Sequence, residues 1–116
     1  MSESSIEKRA RKYAISVGAE PFKMNARNKK GVHDHLFIAC QGSTYPIPIP
    51  FFIEFKTETG GKVSKLQEVF FYKMEKLGVN CYLGVDYLEH AKCIIDWHVA
   101  GYTERCPDTD RYAPQD

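Results

Sequence analysis

Ile49-Pro50-Phe51-Phe52-Ile53-Glu54-Phe55-Lys56 is the stretch whose reading decides the fold. The apolar run ending at Ile53 predicts a buried strand. Charged residues at the end of such a strand are costly unless they meet partners. The side-chain period of a strand is two, so Glu54 and Lys56 point to the same side. Asp34 lies twenty residues before Glu54, just after a basic loop that contains Gly31. Two carboxylates and an amine that converge suit a divalent metal and an activated water, which is the chemistry of phosphodiester cleavage.

Working toward the N-terminus, His35 to Cys40 is apolar and predicts a strand, closed by the turn residues Gln41-Gly42-Ser43. Pro46, Pro48 and Pro50 alternate just before the deciding stretch. Each lacks a ladder donor, so this part is expected to be extended but an edge or a lead-in, with pairing improving from Phe51. Ala26 to Val32 reads as a polar loop and Glu20 to Asn25 as a short strand. Ser4 to Gly18 predicts a helix, with Ile6, Ala10, Tyr13, Ala14 and Val17 on one face. Ser4 suits its N-cap and Gly18 its stop.

Toward the C-terminus, Thr57 to Lys62 reads as a loop. Ser64 to Leu77 predicts a helix with Leu66, Val69, Phe70, Lys73, Met74 and Leu77 near one stripe, ended by Gly78. Asn80 to Val85 predicts a strand. Tyr87 to Trp97 is ambiguous in pattern and is expected as a last helix. The prolines and acids from Glu104 onward predict a loose tail. The expected division is therefore one domain over 1–103 and a tail over 104–116. The order α-β-β-β-α-β implies the α/β class, with a single mixed sheet flanked by helices.

A chain of 116 residues is one domain by length, with ordinary hydrophobic (43%) and charged (27%) content. No apolar run approaches the roughly 18 residues of a membrane span, and the N-terminus has no signal-peptide core. Cys40, Cys81, Cys93 and Cys106 are widely spaced and include no C-x-x-C, which argues against a zinc knuckle or a redox pair. Cys40 and Cys81 fall in strand-like runs and are expected to be small core residues. A cytoplasmic location is expected. The net charge is only +1, but it is unevenly spread. Lys8 to Lys30 holds eight basic residues against one acid, and Asp86 to Asp116 holds seven acids against three bases. The basic third suits phosphate, or it is simply a solvated helix face and loop.

Four pieces of text, in order on their elements, carry a family resemblance: Ser5-Ile6-Glu7, Gly31-Val32-His33-Asp34, Ile53-Glu54-Phe55-Lys56 and Ser64-Lys65-Leu66-Gln67. Over roughly Glu3 to Val85 the chain resembles the PD-(D/E)XK nuclease superfamily. Within it, the chain is most similar to the virus-type replication-repair nuclease branch (VRR-NUC), which includes small stand-alone phage proteins. The chain has His33 where the branch usually has proline, and a longer proline-rich segment before Glu54. The resemblance implies an αβββαβ restriction-endonuclease-like core and a Mg²⁺- or Mn²⁺-dependent DNA endonuclease. Asp34, Glu54 and the Phe55 backbone carbonyl would hold the metal. Lys56 would hold or help deprotonate the attacking water. Glu7 and Gln67 would complete the catalytic set. Arg11, Arg27, Lys29, Lys30 and Lys65 would bind DNA backbone without reading sequence. The resemblance further implies a homodimer acting on branched DNA such as four-way (Holliday) junctions, phage-encoded and working in a bacterial host, with no membrane and no small-molecule cofactor. Tyr45, Ile47, Ile94, Ile95 and Trp97 are the apolar residues expected on the shared surface.

Several residues have plainer readings. Asp34 also suits a turn after Gly31. Glu54 and Lys56 could be an ion pair at a strand end. Ser4-Ser5-Ile6-Glu7 and Ser64-Lys65-Leu66-Gln67 both spell capping boxes, so Glu7 and Gln67 could serve only the helix starts. If the stretch is extended, His33 and His35 share one side and Asp34 the other, which does not close on one metal. His90 and His98 read as surface or partly buried residues. The alternative function is a non-catalytic nucleic-acid-binding module with a nuclease-like fold. Such a module would not need Asp34, Glu54 and Lys56 together.

Overall fold

A computed structural model of the chain describes residues 5–24, 34–40, 47–56 and 64–115. In chain order these form α1 (Ser5–Val17), β1 (Ala19–Lys23), β2 (His35–Cys40), β3 (Pro48–Phe55), α2 (Lys65–Lys76), β4 (Asn80–Val85), α3 (Leu88–Val99) and a 3-10 turn, Asp110–Tyr112. The strands make one mixed sheet in the order β1-β2-β3-β4. β1, β2 and β3 are antiparallel neighbours, and β4 runs parallel to β3. A parallel pair needs a long crossover, and α2 lies in it. The α/β class, the single mixed sheet and the αβββαβ order are as the sequence implies.

The prolines are accommodated by register. β4 starts opposite Phe51, so Pro48 and Pro50 have only β2 beside them, opposite Cys40 and Ile38. β3 is a central strand over Phe51–Phe55 and an edge before it, which spares positions that have no N–H to give.

Alternation along β3 divides the core. Phe51, Ile53 and Phe55 point to the face covered by α1 and α3, where Phe37, Ile94 and Ile95 belong to the same buried apolar cluster. Ala10 and Ala14 on α1 are fully buried there, and their small side chains let the helix lie close to the sheet. Phe52 points to the other face and meets Phe71, Cys81 and Leu83, with Phe70 and Met74 at the margin. Burial on α2 follows Gln67, Phe70, Phe71 and Met74, and departs from the expected stripe. Leu66, Val69 and Leu77 are exposed, because the helix carries apolar residues on more than one side.

His98, expected as a surface or partly buried residue, is fully buried. Its ring stacks on Phe51 at 4.5 Å. Nδ1 lies 2.9 Å from the Tyr102 carbonyl oxygen, which can only accept, so Nδ1 carries the proton. Burial holds the ring neutral by pushing its pKa down. Nε2 therefore accepts from the Tyr82 hydroxyl at 2.8 Å, and that hydroxyl in turn accepts from the Cys106 N–H at 2.9 Å.

The segment from Glu104 is not loose. Arg105 donates to the carbonyl oxygens of Cys81, Thr109 and Tyr112, tying the chain end to β4. Cys106 and Tyr112 are buried in the larger cluster. The acids and prolines dominate the composition of this segment, but these three side chains supply enough apolar and hydrogen-bonding contact to order it. Packing thus continues past residue 103. Ile94 and Ile95 are core residues rather than part of a shared surface, whereas Ile47 is exposed and Trp97 stacks on Tyr102 at 4.0 Å. Cys40 sits exposed at the end of β2, unlike buried Cys81, and all four cysteines are free thiols. Among the described residues no helix is long and apolar enough to cross a membrane.

Candidate active site

β2 and β3 bring Asp34 and Glu54 together. His35 pairs with Ile53, so Asp34, one residue earlier, lies across from Glu54. The Asp34 N–H donates to Glu54 Oε2 at 3.1 Å. Both residues belong to the α2 side of the sheet, the side of Leu36 and Phe52. His35 turns the opposite way and is fully buried between Phe37 and Phe55. Asp34 and His35 therefore face opposite sides of the sheet and do not close on one metal.

Gln67 reaches the same carboxylate from α2. Ser64 Oγ accepts from the Gln67 N–H at 3.1 Å, and Gln67 Oε1 accepts from the Ser64 N–H at 2.8 Å, which is a complete capping box. The Gln67 side chain has a second end, and its Nε2 donates to Glu54 Oε1. One amide thus closes the helix start with its oxygen and holds the carboxylate with its nitrogen. The capping and site readings describe two ends of the same group.

Glu54 is buried at 9% exposure. Its carboxyl is pushed up to about 8, first by burial and then by the hydrogen bond and like charge of the Asp34 carboxyl. The Asp34 N–H pulls the other way, and Glu7 adds a smaller upward push. Glu7 continues the buried stripe of α1 with Ala10 and Ala14, and Lys23 Nζ stands 4.0 Å from its Oε2. Its expected partner in a capping box, Ser4, lies outside the described residues.

Lys56 follows directly on β3, and its N–H donates to the Val85 carbonyl oxygen at 2.9 Å. Its side chain is exposed and lines a cavity of about 330 Å³ together with Glu68 and Asp86. Glu68 belongs to the same helix as Gln67, so Glu54 and Lys56 both face the α2 side. The two form no ion pair, which removes the simple strand-end pair as an account of them. Phe55 between them turns its ring into the opposite cluster, 5.4 Å from His35, and leaves only its backbone to the site.

The remaining expected residues scatter. Lys65 opens α2 with its side chain in solvent, 3.8 Å from Glu68. Arg11 is half-buried on α1. Arg27, Lys29, Lys30, His33 and Tyr45 lie outside the described residues. Sequence reasoning missed Gly84, Asp86 and Arg111, which stand around Lys56. A glycine inside a strand pattern is a bulge signal, so Gly84 was the one of these within reach.

Among the described residues no three His, Cys, Asp or Glu side chains form a metal-binding group. Two carboxylates are nevertheless what Mg²⁺ uses, because it keeps several of its waters and takes one or two carboxylates from the protein. A pair of carboxyls held against each other, one of them raised to about 8, is also a place where a cation would relieve like-charge strain. Asp34 and Glu54 are thus of the donor type that such an ion takes. No family model, no curated protein and no solved structure matches this chain.

Proposed function

We propose that the chain is a metal-dependent DNA endonuclease of the PD-(D/E)XK kind, as its resemblance to the VRR-NUC branch suggests. The observation that carries this reading is the Asp34–Glu54 carboxyl pair, joined across β2 and β3 on the same side of the sheet as Lys56. A bound Mg²⁺ or Mn²⁺ would supply Lewis-acid polarisation of a phosphate oxygen and a more acidic water. The chain's own residues do the rest. Gln67 fixes the Glu54 carboxylate by its Nε2 hydrogen bond, so the carboxylate cannot swing away as charge builds. Lys56 presents an exposed amine with no ion-pair partner among the described residues, to orient the attacking water and to offset charge on the phosphate. Glu7 adds a nearby negative charge that further favours a cation at the pair.

Arg11 and Lys65, with Arg27, Lys29 and Lys30, are proposed to contact DNA backbone. The preference for branched DNA and the homodimer rest on the resemblance alone, since Ile94 and Ile95 are core residues. The test is cleavage of supercoiled plasmid and of a four-way junction in Mg²⁺, Mn²⁺, Ca²⁺ and EDTA. Cleavage is expected in the first two only, with DNA binding retained in Ca²⁺, which coordinates more loosely. EDTA-resistant cutting would overturn the mechanism. Salt-dependent DNA binding with no cutting in any metal would favour the binding-module alternative.

A further inference from the structure

The cavity beside Lys56 has a floor, two walls and a cationic lip. Its floor is Gly84, where the β3–β4 ladder slips. Glu54 pairs with Leu83 and Phe55 with Val85, so Gly84 is an extra, unpaired residue with φ of 73°. Bulges of this kind cluster beside active sites, where they end pairing or re-aim a side chain. A Cβ on Gly84 would meet nothing within 4 Å, which is open space over the floor. One wall is α2 at Glu68. The other is the C-terminal 3-10 turn, carrying Arg111 and Tyr112.

That turn is anchored firmly. The Tyr112 hydroxyl donates to Asp86 Oδ1 at 2.9 Å, so its oxygen accepts from His90 Nδ1. Arg111 donates to Asp86 Oδ2 at 2.9 Å. Its guanidinium carbon lies 5.6 Å from the Tyr87 ring centroid and 5.2 Å from that of Tyr112. Asp86 and the two rings thus hold the guanidinium in one place, and only one of its N–H groups faces the carboxylate. About half of the Arg111 side chain and of Tyr87 is exposed to solvent.

The charges are unequally answered. Glu68 is met by Lys65 and Asp86 by Arg111, while Lys56 has no ion pair among the described residues. The cavity volume, about 330 Å³, is at the small-ligand end of binding sites. A guanidinium held in place, an amine with no ion pair among the described residues and, beside the cavity, an exposed aromatic ring are the parts that hold single-stranded nucleic acid.

We propose that this cavity takes the phosphate of a nucleotide of the cleaved strand, next to the scissile one, on Arg111, with the attached base reaching out of the cavity to the exposed Tyr87 ring beside it. The proposal rests on the nuclease reading and makes Arg111 and Tyr87 strand-binding residues rather than catalytic ones. Such a site favours a strand that leaves the duplex at the cut, because a base can lie on Tyr87 only when it is unpaired.

The test is binding of a fluorescein-labelled oligothymidylate of about twelve nucleotides in Ca²⁺, followed by anisotropy over a range of salt. Arg111→Gln should weaken binding about tenfold and lower the salt slope by about 0.7, the loss of one single-strand phosphate contact. Arg111→Lys should restore the slope. Tyr87→Ala should weaken binding about fivefold or more with the slope unchanged, since stacking carries no counterion release. Melting temperature separates a structural effect, because loosening the C-terminal turn lowers it without touching the slope. Wild-type protein that cuts DNA while Arg111→Gln keeps the full slope would overturn this inference and leave the nuclease reading intact. Wild-type protein that neither binds nor cuts would overturn both.

Discussion

On the face of the sheet covered by α1 and α3, Phe37, Phe51, Ile53, Ile94 and Ile95 have no exposure at all. On the face covered by α2, the helix buries only Phe71, and Leu66, Val69 and Tyr72 stand in solvent. The first face has the close packing of a protein interior and accounts for most of the apolar burial. The second ends in Asp34, Glu54 and Gln67, where a raised carboxyl opposes stability rather than adding to it. One side of the sheet holds the fold, and the other, less tightly held, carries the polar groups that chemistry needs. Such a division lets charge be buried at the site without unfolding the chain, since the cost falls where few apolar contacts depend on it.

The largest effect expected from breaking this division is on cleavage. Asp34→Asn and Lys56→Ala should each lower the rate by at least about 100-fold. Their effects should not add in the double variant, since both act on one water and one phosphate. Circular dichroism should find the fold intact in each.

The opposite face should respond in stability. Ile94→Ala is expected to cost about 2–5 kcal/mol by denaturant unfolding, the usual range for emptying a packed site. Leu66→Ala on the exposed side of α2 should stay within about 0.5 kcal/mol. Comparable losses at the two positions would erase the contrast between the faces.

The site should also set a pH dependence. Between the ordinary carboxyl value of 4.5 and about 8, the folded chain keeps a proton on Glu54 that the unfolded chain gives up. Stability in EDTA should therefore fall as pH rises through that window, by on the order of 2–4 kcal/mol, and level off above it. Glu54→Gln should flatten the curve, and Mg²⁺ should offset the loss at the alkaline end. A wild-type curve already flat over this window would mean that Glu54 is not held as described.

A smaller effect separates the two ends of Gln67. Gln67→Glu keeps an acceptor for the Ser64 N–H but replaces the donor to Glu54 with a second negative charge. Melting temperature at acid pH should change little, and cleavage should drop several-fold. A variant with full activity would reduce Gln67 to a helix cap.

Much of this contrast is readable in the sequence, and the parts that are not share a cause. Strands His35–Cys40 and Asn80–Val85 come out residue for residue, because each is an apolar run with glycine or polar punctuation at its ends. The Glu54–Lys56 parity and the capping box at Ser64 also follow from local rules. The α2 stripe does not, because Leu66, Val69, Phe70, Phe71, Tyr72 and Met74 make the helix apolar on several sides and periodicity cannot choose among them. His98 and the segment around Arg105 are missed for a different reason. Their placement depends on partners far along the chain, namely Phe51, Tyr82 and the Cys81 carbonyl oxygen, which no local window contains. Gln67 lies between these cases, since its cap is local and its hold on Glu54 is not.

The central claim is that Glu54, paired with Asp34 and held by Gln67, is the carboxylate on which DNA cleavage depends. The direct measurement is nicking of supercoiled plasmid in Mg²⁺ by wild-type protein and by Glu54→Gln, with melting curves of both. Glu54→Gln removes the charge but keeps only one of the two acceptor oxygens, so it gives up either the Asp34 N–H or the Gln67 Nε2 bond and should stay folded with a modestly lower melting temperature. Its nicking should be at least about 100-fold slower. A folded Glu54→Gln protein that nicks at near the wild-type rate would contradict the account.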